Sequence, residues 1–109
     1  EQVQNHVGTL VNHSVASMQE PSEIYKVGFR TNALLESLSE VIMAWLLLEH
    51  AEIALARLPE ATGADADFYE GKIASARFFV REALPKVALR TAGAEAEDGW
   101  LMDVPDAAF

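Results

Sequence analysis

Apolar and polar positions follow a helical period over nearly the whole chain. No useful run alternates with the two-residue period of a strand, and no Asn-Gly hairpin signal occurs. Breakers divide the sequence into three helices and a tail. In the first helix, predicted over about 3–18, Val3, Val7, Leu10, Val11 and Met18 recur at three- and four-residue steps and make one apolar face. Glu20-Pro21-Ser22 then breaks the chain, with Ser22 placed to cap a second helix and Glu23 in its first turn. That helix is predicted over 23–58, roughly 50 Å at about 1.5 Å per residue. Val27, Leu34, Val41, Leu48 and Leu55 fall on a strict seven-residue repeat. Leu38 and Trp45 share a second repeat, and Leu35, Ile42, Leu46 and Ile53 extend the apolar surface sideways. So wide a face calls for more than one partner helix. Gly28 marks a bend or a close helix contact in its early turns.

Pro59 stops the second helix, and residues 59–65 read as a loop. Asp67 stands three residues before Glu70, a capping-box spacing, so a third helix is predicted over 68–92. Tyr69, Ile73, Ala76, Val80, Ala83 and Val87 form its core stripe, widened by Phe68, Phe79 and Leu84. The small residues Gly71, Ala74, Ser75 and Ala76 leave room for another helix to approach. Pro85 lacks an N–H and its ring meets the carbonyl of Arg81, which predicts a kink or break there, and Gly93 is placed as a C-cap. The tail, residues 94–109, is acidic yet carries Trp100, Leu101, Met102, Val104 and Phe109, so these side chains are expected to dock on a helix surface of this chain or another. The expectation is an all-α fold: one domain over 1–109, an up-and-down bundle of three main helices with the third broken near Pro85, plus a docked C-terminal tail.

Composition narrows the function. Half of the 109 residues are hydrophobic, which argues against disorder, and no cysteine is present, which excludes a disulfide scaffold, a cysteine-zinc site and a thiol nucleophile. Seventeen acids against eight bases give a net charge of −9 without a basic patch, a poor match to nucleic acid or an anionic membrane. The most apolar run, VIMAWLLL (Val41–Leu48), lies between Glu40 and Glu49 and falls far short of the roughly 20 residues a membrane span needs. No targeting segment is visible, the absence of cysteine fits a reducing cytoplasm, and the missing initiator methionine fits a processed chain or a piece of a longer one.

Candidate chemistry is sparse. His6 and His13 lie seven residues apart, roughly 10 Å along a helix, too far to share an ion. His50 has no Glu-x-x-His or HExxH partner, so the histidines read as solvent-facing or capping groups rather than metal ligands. The pairs Glu36/Glu40 and Glu49/Glu52 are of the kind that arises by chance in an acidic helical chain, and the sequence marks neither with the burial or charged neighbour a catalytic acid needs. Arg77 and Arg81 share a face with Glu70; they could engage a phosphate or carboxylate, but a solvated rim whose stems cover apolar surface accounts for them more simply. No phosphate loop, dinucleotide fingerprint or nucleophile elbow occurs. The aromatics Trp45, Phe68, Tyr69, Phe78, Phe79 and Trp100 read as packing groups. The residues alone therefore give an acidic helical bundle without a catalytic, cofactor-binding or metal site.

Three stretches carry a resemblance. DFYEGKIASARFFVREALP (Asp67–Pro85), AWLLLEHAEIAL (Ala44–Leu55) and LMDVPDAAF (Leu101–Phe109) resemble, in order, parts of the C-terminal helical extension of a subgroup of acyl-CoA dehydrogenases that includes methylthiopropanoyl-CoA dehydrogenase-like enzymes. The likeness covers most of the chain from Ile24 onward. It implies a larger bacterial flavoenzyme, one that uses FAD to remove hydrogens from the α and β carbons of an acyl-CoA thioester while a glutamate takes the α proton. In such enzymes the flavin and the base lie in preceding domains, and nothing here matches those segments. The resemblance thus implies no catalytic, FAD-binding or metal residue in this chain. It implies partners instead: the catalytic domains of the parent chain and further copies in a homo-oligomer, with the acyl-CoA bound elsewhere. Trp45, Phe68, Tyr69, Gly71, Phe79, Trp100 and Phe109 are then expected to pack or to line an interface. Lys72, Arg77 and Arg81 are expected to pair with acids across a helix or domain contact. The competing reading is an autonomous acidic bundle that dimerises or binds a partner helix.

Overall fold

The computed structural model describes residues 1–109. It contains three α-helices and no strand: α1 (Gln2–Ala16), α2 (Glu23–Arg57) and α3 (Ala64–Glu95). Short 3-10 turns follow α2 at Leu58–Glu60 and shape the tail at Trp100–Asp103 and Asp106–Ala108. The all-α expectation holds. The chain forms two compact units, residues 1–37 with 87–109, and residues 38–86; α2 and α3 contribute to both.

Several local expectations change. α3 begins at Ala64, not Phe68: the Asp67 amide already donates to the Gly63 carbonyl at 3.2 Å, so Asp67 lies inside the first turn instead of capping it. Gly63, at φ +56°, supplies the left-handed backbone that turns the loop into the helix. α3 also runs through Pro85 without a break. A proline removes only its own N–H and crowds one carbonyl, and the long helical runs on both sides hold the remaining ladder. Gly93 is consequently not a cap. It lies within α3, and a Cβ built on it would stand 3.0 Å from Nη1 of Arg30, so the missing side chain makes room for that guanidinium. Gly28 and Gly71, by contrast, face open space.

In the first unit, the N-terminal helix turns His6 and Leu10 inward, and Val7, Val11 and Met18 are exposed. The face drawn from the largest aliphatics is therefore rotated from the one that packs. The Thr91 hydroxyl ties α3 to α1, donating to the Gln2 carbonyl at 3.0 Å and lying 3.0 Å from the Val87 carbonyl. Arg90 of α3 pairs with Glu36 of α2 at 3.0 Å. Ser22, expected to cap α2, donates its hydroxyl to Glu20 at 2.9 Å, and the Glu23 carboxylate is engaged by Lys26 at 2.7 Å and His13 at 3.2 Å.

The second unit is a helical hairpin, the later part of α2 joined by the Leu58–Glu60 turn to the earlier part of α3. Its seam is lined by Ala44, Ala51 and Ala54 from α2 and Ala76 and Ala83 from α3, all buried. The predicted α3 stripe is the one that faces in. On α2 the heptad of large residues does not: Val41, Leu48 and Leu55 are exposed beside the alanine stripe, as is Trp45 at 60 %. Small side chains let two helices approach closely, and the large residues then flank the contact instead of filling it.

Candidate functional site

Six of the eight buried apolar residues in the chain are alanines, whereas the leucines, isoleucines and aromatics lie largely outside. Within the hairpin unit this produces two apolar surfaces. One is an open trough of about 520 Å³ whose walls include Leu55, Leu58, Ile73 and Phe78, with Arg77, Arg81 and Glu70 at its edge. It continues past Leu48 and Val80, still bordered by Arg77 and Arg81. The other is a smaller groove formed by His50, Ile53, Phe68, Tyr69 and Lys72. There the Phe68 and Tyr69 rings meet edge to face, 5.6 Å between centroids at 66°, and Lys72 Nζ stands 5.3 Å over the Phe68 ring. A contact of this kind holds an aromatic in place at an exposed position.

The residues singled out from sequence therefore separate. Phe68, Tyr69 and Lys72 share one groove, and Arg77 and Arg81 border the other. Phe79 is half-buried on α3, Trp45 is exposed on α2, and Gly71 presents bare helix backbone to open space. In the tail, Trp100 is 62 % and Phe109 90 % exposed, so this chain does not cover them.

Sequence reasoning missed the polar centre of the first unit. His6 is fully buried, not solvent-facing, and neither ring nitrogen has a hydrogen-bond partner of good geometry. Burial pushes its pKa below the ordinary histidine value; the Arg30 carbonyl opposes this shift and the Arg30 positive charge adds to it. Arg30 Nε donates to Oε2 of Glu97 at 2.8 Å and Nη2 reaches the same oxygen at 2.8 Å, while Oε1 accepts from the Gly99 amide at 3.2 Å. This fixes the base of the tail. Glu23, held by the Lys26 ammonium first and by His13 after it, has its carboxyl pKa lowered. No group of three or more His, Asp or Glu side chains is placed to hold a metal ion, and no helix is long and apolar enough to cross a membrane.

Known proteins resemble this sequence. The family model described as acetyl-CoA dehydrogenase C-terminal like matches residues 1–105. The chain belongs to this family. A broad-specificity linear acyl-CoA dehydrogenase of Mycobacterium tuberculosis is 36 % identical over 108 residues, 98 % of this chain and 18 % of the relative. A butyryl-CoA dehydrogenase of Syntrophomonas wolfei is 36 % identical over 78 residues, 70 % of this chain and 13 % of the relative. This acyl-CoA dehydrogenase C-terminal domain thus spans less than a fifth of the length of either relative.

Proposed function

We propose that this domain serves as the helical C-terminal part of an FAD-dependent acyl-CoA dehydrogenase, and that its work is structural: it packs its outer apolar stripes against the catalytic domains of the parent chain. The observation that carries this reading is the exposed flank of α2, where Ile42, Leu46 and Ile53 line up beside the buried alanines. Each is about half exposed, and covering the remainder would stabilise by on the order of 1 kcal/mol per side chain. Exposed apolar surface of this extent belongs at an interface.

FAD and the acyl-CoA are assigned to the parent's other domains. A flavin needs donors for its pyrophosphate and ring, and the troughs here are open, walled mainly by aliphatic and aromatic side chains, with only the exposed Arg77 and Arg81 as donors on the larger one. The residues of this chain do not make a flavin site. In the same reading the enzyme is a cytoplasmic homo-oligomer, consistent with an acidic chain without cysteine. The test is to purify the full-length protein and record its visible spectrum before and after adding acyl-CoA. A flavin spectrum bleached by acyl-CoA is the expected result. A colourless protein would overturn the assignment and leave an independent interaction module.

A further inference from the structure

The larger trough of the hairpin unit combines an apolar lining with a border of two arginines, Arg77 and Arg81, and one acid, Glu70. Lys26 is paired with Glu23, Arg30 with Glu97 and Arg90 with Glu36, whereas Arg57 and Lys86 form no ion pair and Lys72 stands over the Phe68 ring. Arg77 forms no ion pair, and Arg81, with its side chain 74 % exposed, touches only its chain neighbour Glu82 at 3.2 Å. An exposed pair of that kind contributes little and is readily exchanged for another. The fitting occupant is therefore both apolar and acidic.

The tail has this chemistry. No lysine or arginine follows Arg90, and Asp103 and Asp106 stand between Trp100 and Phe109. Trp100, Leu101, Met102 and Phe109 are all exposed, while the Arg30–Glu97 pair holds only the segment's base. Large rigid aromatics at exposed positions are efficient anchors for a groove, because they bury much area at small entropy cost.

We propose that the tail of one copy docks in the Arg77/Arg81 trough of a second copy. Trp100 and Phe109 seat against the apolar wall formed by Leu55, Ile73 and Phe78, and Asp103 and Asp106 face the two arginines. Reciprocal exchange gives a twofold, closed arrangement in which each copy has one tail and one trough, and neither is left unmatched. The inference goes beyond packing against catalytic domains, because it names the occupant of one surface and holds whatever reaction the parent performs.

The test uses the full-length protein carrying Phe109→p-benzoylphenylalanine, a change at a position open to solvent. Isotopically heavy and light copies are co-assembled, irradiated and analysed by mass spectrometry. Crosslinks that join heavy to light copies and map to 55–58 or 73–81 are expected. Crosslinks confined to one copy, crosslinks to another part of the enzyme, or none in the trough would overturn the proposal. In parallel, Arg77→Glu with Arg81→Glu should raise the dimer dissociation constant about tenfold or more in sedimentation, from two lost and reversed ion pairs. Adding Asp103→Arg with Asp106→Arg should restore it, and failure of that rescue counts against the pairing. Flavin content, read on the same samples, separates the two ideas: flavin without trough crosslinks sinks only the exchange, and trough crosslinks without flavin sink only the dehydrogenase assignment.

Discussion

Gly93→Ala tests the close approach of α2 and α3 in the first unit. A glycine inside a helix ordinarily costs about 0.5–1 kcal/mol relative to alanine, so the substitution should stabilise on propensity alone. At Gly93 the new Cβ would stand 3.0 Å from Arg30 Nη1, 3.5 Å from Cζ and 3.8 Å from Nη2. The guanidinium must move by a few tenths of an ångström. It is not free to do so without loss, because two of its nitrogens reach Glu97 Oε2 at 2.8 Å and the Glu97 side chain is 12 % exposed. Hydrogen bonds to charged groups contribute about 1.5–3 kcal/mol, and weakening even part of that cancels the helix gain. Gly71 lies in the same helix with nothing within 4 Å of its Cβ, and serves as the control. Urea unfolding followed by circular dichroism should show Gly71→Ala gaining about 0.5–1 kcal/mol and Gly93→Ala gaining nothing or losing up to about 1 kcal/mol. In an Arg30→Ala background the gain at Gly93 should return. Equal stabilisation at both glycines, or no coupling to Arg30, would refute the steric argument.

Three further outcomes follow from other parts of the chain. Thr91→Val keeps the shape but removes the hydroxyl that donates to the Gln2 carbonyl, and should cost about 1 kcal/mol in urea unfolding, with faster amide exchange at the start of α1. Lowering the pH should destabilise the protein in two windows: the unfolded chain takes up a proton at His6 near 6.5 while the buried ring resists it, and below about 4.5 the same holds for the Glu23 carboxylate, so stability falls as pH drops through each native pKa. A His6→Phe variant should flatten the upper window, which a series of urea midpoints against pH would show. Ala76→Leu should cost about 1–3 kcal/mol by overpacking the hairpin seam, while Ala74→Leu on the exposed side should be near neutral in the same unfolding assay.

The helices and their order were legible because breakers such as Pro21 and Pro59 separate long periodic runs. The α3 stripe was legible too, since Ala76, Ala83 and Val87 lie on one face and are the residues buried. On α2 the same method chose Val41, Leu48 and Leu55, because apolar size dominates a periodic reading, and the seam is made of Ala44, Ala51 and Ala54. Arg77, Arg81 and the Phe68–Lys72 cluster were found through their place in a motif, but which groove each borders depends on the rotation of α3. Long-range pairings carried no local signal: Arg30 meets Glu97 across 67 residues and Thr91 meets Gln2 across 89. The buried His6 was missed for the same reason, as its environment is supplied by α2.

An alanine seam has an energetic consequence. Each buried alanine removes little apolar area from water, whereas a leucine or phenylalanine is worth about 1.5–3 kcal/mol when fully buried. The hairpin unit spends its small residues on its own contact and keeps Ile42, Trp45, Leu48, Ile53, Leu55, Phe68 and Phe78 on its outside. Its internal contact therefore supplies precise helix spacing but a modest share of the available hydrophobic free energy. The larger share is released only when the outer surfaces meet another body, and any body that binds the folded hairpin and not the unfolded chain stabilises it by mass action. On the proposed packing, stability and assembly are thus coupled in this domain. Substitutions on the outer stripes should act weakly on the isolated chain and strongly on the assembled protein, and substitutions along the alanine seam should act on both.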